Sequence, residues 1–141
     1  MNETFDPGPE RPLLLLVDVS ASGDFGSGPQ SKRELLAELA AVLALSAVRN
    51  NDRAGLLLFT DRVEGFLPPR AGRTQALNIV TSILSHRARS QRTSLQAGLD
   101  ALVNAFPRRA TVGVLSDFLD EGYERSLSIA ARRHDVVGIH V

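Results

Sequence analysis

Leu13-Leu14-Leu15-Leu16-Val17-Asp18-Val19-Ser20-Ala21-Ser22 decides how the rest of the chain is read, because five aliphatic residues end abruptly in an acid and two hydroxyls. A continuous apolar run bounded by polar residues predicts the central strand of a parallel sheet covered on both faces. In open α/β sheets ligands bind at the C-terminal edge of the strands, so the polar group stands where binding or chemistry takes place. Alternate side chains of an extended chain share a face, and Asp18, Ser20 and Ser22 can therefore point at one spot. One carboxylate with two hydroxyls makes an oxygen cage suited to a hard cation such as Mg²⁺. The same residue types also serve as turn and N-cap residues after a strand, since their oxygens accept bonds from free backbone N–H groups.

Working outward, residues 1–11 are rich in Pro and acids, a composition that builds no core and predicts a flexible lead-in to a domain over 12–141. Gly23 to Gln30 reads as a mobile loop, and Ser31-Lys32-Arg33-Glu34 as a capping box that opens a helix. Leu35, Leu36, Leu39, Val42, Leu43 and Ala47 recur along that helix at helical spacing, and Arg49-Asn50-Asn51 closes it. Leu56 to Phe59 predicts a second buried strand. Val63 to Leu67, closed by Pro68 and Pro69, predicts an antiparallel edge strand, where a missing N–H is harmless. A helix marked by Leu77, Val80, Ile83 and Leu84 ends near His86, and Thr93-Ser94 opens another whose stripe is Leu95, Leu99, Leu102, Val103 and Phe106. Ala110 to Ser116 is a fourth strand followed by Asp117. A short helix over Gly122 to Arg133 then leads into a last strand, Val136 to Val141. Alternating strands and helices make a doubly wound, mostly parallel α/β sheet with helices on both faces.

The 141 residues suffice for one domain with a real core, and 43% hydrophobic content suits a globular α/β protein. Sixteen basic and sixteen acidic residues cancel, which argues against a whole-domain grip on nucleic acid or an anionic membrane. The lack of Cys excludes disulfides, thiolate metal sites and a Cys nucleophile. It also fits a reducing, cytoplasmic compartment. No apolar run approaches the roughly 20 residues that span a bilayer, so no membrane segment is expected in this chain, whatever attaches the full-length protein.

Three separated segments deliver oxygen donors where a strand or loop meets a helix: Asp18 with Ser20 and Ser22, then Thr93, then Asp117. At the switch point of a doubly wound sheet the first and fourth strands can lie side by side, which makes their terminal acids neighbours. Two carboxylates in one small space repel each other unless a cation neutralises both. Thr93 has an ordinary alternative as a helix cap, although Ser94 could cap equally well and leave Thr93 free. Asp120 and Glu121 read as acids that complement the dipole of the helix after them.

Asp18-x-Ser20-x-Ser22 behind a hydrophobic strand resembles the first part of the metal-ion-dependent adhesion site of von Willebrand factor A domains. The residues around it, Leu16 to Ser22, Asp24-Phe25-Gly26-Ser27 and Arg53 to Phe59, resemble more closely the bacterial DUF58 branch. The resemblance implies a Mg²⁺ or Mn²⁺ held by Asp18, Ser20, Ser22, Thr93 and Asp117. It also implies association with a MoxR-type AAA+ ATPase in an assembly or chaperone-like system. It extends from Arg11 to Val141 and departs in one respect, since the last strand and final helix usual in that fold are absent. A C-terminally truncated sheet, with self-association through its open edge, is the expectation that follows.

Two function classes remain. A binding module would offer the cation's open coordination position to an Asp or Glu of a protein partner. A metal-assisted phosphohydrolase would use Asp18 and Asp117, but it wants a second acid beside Asp18 and a cation on the phosphate, and the chain's only lysine, Lys32, falls in the first helix. The binding module, not an enzyme, is the expectation. Arg70, Arg73, Arg87, Arg89 and Arg92 lack interleaved aromatics and read as solvated. His86, His134 and His140 are scattered and receive no role.

Overall fold

Leu14, Leu15, Leu16 and Val17 are fully buried, as a strand covered on both faces requires. They belong to β1 (Leu13–Asp18) in a computed structural model that describes residues 11–20 and 31–141. The predicted lead-in, apart from Arg11, and the Gly23 to Gln30 loop lie outside the described residues. The chain continues through α1 (Lys32–Arg49), β2 (Ala54–Phe59), β3 (Val63–Arg70), α2 (Arg73–Ser85), α3 (Leu95–Ala105), β4 (Thr111–Ser116), α4 (Glu124–Arg133) and β5 (Asp135–His140).

These strands form a sheet of order β3-β2-β1-β4-β5 with β1 in the middle. β1 runs parallel to β2 and β4, β4 runs parallel to β5, and β3 is the antiparallel edge that carries both prolines. Parity along β1 sorts the core into two layers. Leu15 and Val17 pack with α1 and α2, whereas Leu14 and Leu16 pack with Leu95, Leu99 and Leu102 of α3 and Ala130 of α4. Burial of each such Leu side chain contributes roughly 1.5–3 kcal/mol.

The capping box of α1 forms as expected, with Glu34 N–H donating to Ser31 Oγ at 3.1 Å and Ser31 N–H to Glu34 Oε1 at 2.9 Å. Its buried face, however, is Leu36, Ala37, Ala40, Ala44 and Ala47, while Leu35 and Val42 stay in solvent. Alanines let the helix lie close to the sheet and to α2, and the larger residues of the expected stripe sit on its flanks. In α2 likewise Ala76, Ile79 and Ile83 are buried, and Leu77 and Leu84 are exposed. The stripe of α3 is as read, with Gly98 added where the ring of Phe59 presses on the helix.

Candidate metal centre

Asp18 closes β1, and Ser20 follows with the same parity. Asp18 Oδ1 accepts the backbone N–H of Ser20 at 2.9 Å, an Asx turn that folds the chain over the end of the strand. The other oxygen, Oδ2, accepts the hydroxyl of Thr93 at 2.6 Å across 75 residues of sequence. Thr93 is available because Ser94 caps α3, its Oγ accepting the Ala97 N–H at 3.1 Å. Asp120 also serves that helix, since Oδ2 accepts the Leu95 N–H at 2.8 Å. It thus complements the dipole of α3 rather than of α4, the helix that follows it in sequence.

Asp117 follows β4, the neighbour of β1, so the two acids reach the same mouth of the sheet. Its Oδ1 accepts the Leu119 N–H at 3.1 Å, and its Oδ2 faces Lys32 Nζ at 3.2 Å. Burial pushes the Asp117 carboxyl upward, but the Leu119 N–H and the Lys32 ammonium outweigh it and hold the group below the usual carboxylate range. The next residue, Phe118, has φ 55°, a left-handed backbone that costs about 1 kcal/mol or more at a residue with a side chain. Its ring rests on Gly138 of β5, where any Cβ would stand 2.9 Å from it.

Asp18, Ser20, Lys32, Leu36, Ser116 and Asp117 line one cleft of about 10 Å³, the room of one water-sized sphere. Thr93 joins it through the bond to Asp18. Ser22 lies outside the described residues, and among those residues no three His, Cys, Asp or Glu side chains gather. Two carboxylates and hydroxyls are hard oxygen donors, the kind Mg²⁺ and Mn²⁺ prefer, so the donor set fits such an ion. Lys32 is the discordant member. Reading it as a helix residue away from the site is corrected: as the first residue of α1 it reaches the cleft, and its ammonium stands against Asp117.

Sequence reasoning also missed Glu64. This acid of β3 has no side-chain exposure and accepts the Thr60 hydroxyl at 2.7 Å and the Arg89 N–H at 2.9 Å, with His86 Nε2 at 2.7 Å. Burial raises the Glu64 carboxyl, and the bonds from His86, Arg89 and Thr60 bring it net below its ordinary value. His86, left without a role above, therefore helps to hold the segment that leads to Thr93. Residues 86–92 carry no large apolar side chain, so this latch replaces burial as their anchor. The sequence carried no signal for it, since Glu64 shares the parity of the exposed Phe66, Pro68 and Arg70, and the register shift between β2 and β3 beside it is not written in a local pattern. Arg87, Arg89 and Arg92 are exposed, as a solvated stretch should be.

Among solved structures, the fold is similar to BatB from Bacteroides thetaiotaomicron, with TM-score 0.73 and 17% identity over 93% of this chain and 66% of that one. It is similar also to an aerotolerance-related membrane protein from Bacteroides fragilis, with TM-score 0.74 and 17% identity over 94% of this chain and 68% of that one. Proximal thread matrix protein 1 from the mussel byssus, solved with a zinc-occupied MIDAS motif, matches with TM-score 0.68 and 17% identity over 93% of this chain and 38% of that one. At such identities the likeness establishes the fold, a von Willebrand factor A-like sheet. Two uncharacterized proteins, from Mycobacterium bovis and Mycobacterium tuberculosis, are each 32% identical over 135 residues, which is 94% of this chain and 43% of theirs. The chain thus spans less than half the length of these relatives. The family described as protein of unknown function DUF58 matches residues 3–141, and the chain belongs to that DUF58 family.

Proposed function

We propose that the domain is a metal-dependent protein-interaction module. Mg²⁺ or Mn²⁺ would be held by Ser20, Ser22 and Thr93, with Asp18 and Asp117 ligating directly or through water. The observation that carries this reading is the convergence of Asp18, Thr93 and Asp117, three distant segments, at the C-terminal mouth of the sheet with Thr93 Oγ1 2.6 Å from Asp18 Oδ2. When bound, the cation supplies an electrophilic position open to an outside oxygen. The chain's own residues do the rest. Thr93 and the Ser20 N–H orient the Asp18 carboxylate, and the Leu119 N–H orients Asp117. Leu119, 80% exposed beside the site, offers a partner an apolar contact next to its carboxylate.

A partner Asp or Glu at this position would gain a charge-assisted contact in a partly dry cleft. The family resemblance makes a MoxR-type AAA+ ATPase the first candidate for that partner. A pull-down in Mg²⁺ or in EDTA tests it. Capture should require the metal and should fail for Ser20→Ala combined with Thr93→Ala. Capture that persists in EDTA would refute the module.

The position of Lys32 favours a second reading, a phosphohydrolase in which Lys32 would steady a phosphate over Asp18. It is the weaker of the two because both Asp18 oxygens are already engaged. Metal-dependent turnover of a generic phosphate ester that vanishes in Asp18→Asn would promote it.

A further inference from the structure

We infer that Lys32 is a built-in competitor for the divalent cation, holding Asp117 in the metal-free domain and releasing it when metal binds, so that it sets the affinity of the site. This rests on the metal reading above and adds the device that regulates it. The two acids of the cleft are held differently. Both oxygens of Asp18 are taken by Ser20 and Thr93, whereas Asp117 Oδ2 is met by Lys32 Nζ, at 3.2 Å.

Helix formation does not explain the lysine. As the first residue of α1 it stands at the positive end of the helix dipole, where a cation is disfavoured. What favours it there is the carboxylate. With Lys32 in place the cleft keeps about 10 Å³, the room of one water-sized sphere, and a divalent ion seated there would stand close enough to the ammonium to repel it. The exchange is mechanically easy, because the Lys32 and Asp117 side chains are 30% and 26% exposed. A long, flexible stem can swing outward into solvent and leave the buried wall of the cleft, Leu36 and Ser116, in place.

Lys32 is the only lysine in the sequence, so ¹³C-lysine labelling gives a single side-chain signal that reports on it alone. On addition of Mg²⁺ that signal should move towards the position of a free lysine in the wild type and stay still in Asp18→Ala. Calorimetry should show Lys32→Gln binding Mg²⁺ roughly tenfold more tightly than wild type, with Lys32→Arg close to wild type. Thermal melts in EDTA should show Lys32→Gln less stable than wild type, with the difference closing at saturating Mg²⁺. Equal Mg²⁺ affinity in wild type and Lys32→Gln, or a lysine signal that ignores bound metal, overturns the inference and leaves the site reading intact. Failure of wild type and Lys32→Gln alike to bind Mg²⁺ or Mn²⁺ overturns both.

Discussion

Glu64→Ala should free the segment that presents Thr93 without unfolding the sheet. In the wild type the buried carboxylate accepts the Arg89 N–H at 2.9 and 3.0 Å and the Thr60 hydroxyl at 2.7 Å. Thr60 in turn accepts the Ser94 N–H on its carbonyl at 2.8 Å, so one acid links β3, the 86–92 segment and the start of α3. A hydrogen bond to a charged acceptor contributes roughly 1.5–3 kcal/mol. Loss of about 2 kcal/mol from the local opening free energy makes the Arg89 amide exchange about thirtyfold faster. Hydrogen exchange read by NMR measures this directly, and amides of β1 and β4 should be unchanged. The effect has a pH signature. The folded Glu64 carboxyl lies below its unfolded value, so its contribution is fully present above the unfolded value near pH 4.3 and fades as pH falls through the folded one. Wild-type protection at Arg89 should therefore collapse in acid towards that of Glu64→Ala, which should itself be flat. Arg89 exchange that is the same in both proteins at neutral pH would refute the latch.

Two further substitutions test the packing that holds the site. Gly98→Ala would place a Cβ about 3.0 Å from the Phe59 ring and should cost roughly 1–3 kcal/mol in a urea titration; an unchanged midpoint would mean that α3 can shift away from β2. Gly138→Ala would put a Cβ 2.9 Å from Cζ of Phe118 and should displace the loop that carries Asp117, seen as loss of Leu119 amide protection with little change in the other strands.

Much of the fold was legible because β1 announces itself. A run of aliphatic residues ending in Asp18 predicts a central parallel strand, and Pro68-Pro69 predicts the antiparallel edge. The sequence allowed either Thr93 or Ser94 to cap α3, and the structure uses Ser94. Helix faces were read less well. Periodicity favoured Leu35 and Val42 over Ala40 and Ala44, because hydrophobic size says nothing about how closely a helix must approach its sheet. Lys32 and Glu64 were missed for a shared reason. Each acts through a long-range polar contact, with Asp117 and with His86 and Arg89, and such pairs leave no local pattern. A lone lysine in the first turn of the helix that follows Asp18, Ser20 and Ser22 was the one available hint.

Electron paramagnetic resonance of Mn²⁺ added to wild type and to Asp18→Ala tests the central claim most directly, because free and protein-bound Mn²⁺ differ in signal and can be counted. The site described here predicts one bound Mn²⁺ per wild-type chain, displaced by excess Mg²⁺, and none in Asp18→Ala. Equal Mn²⁺ binding by the two proteins would contradict it.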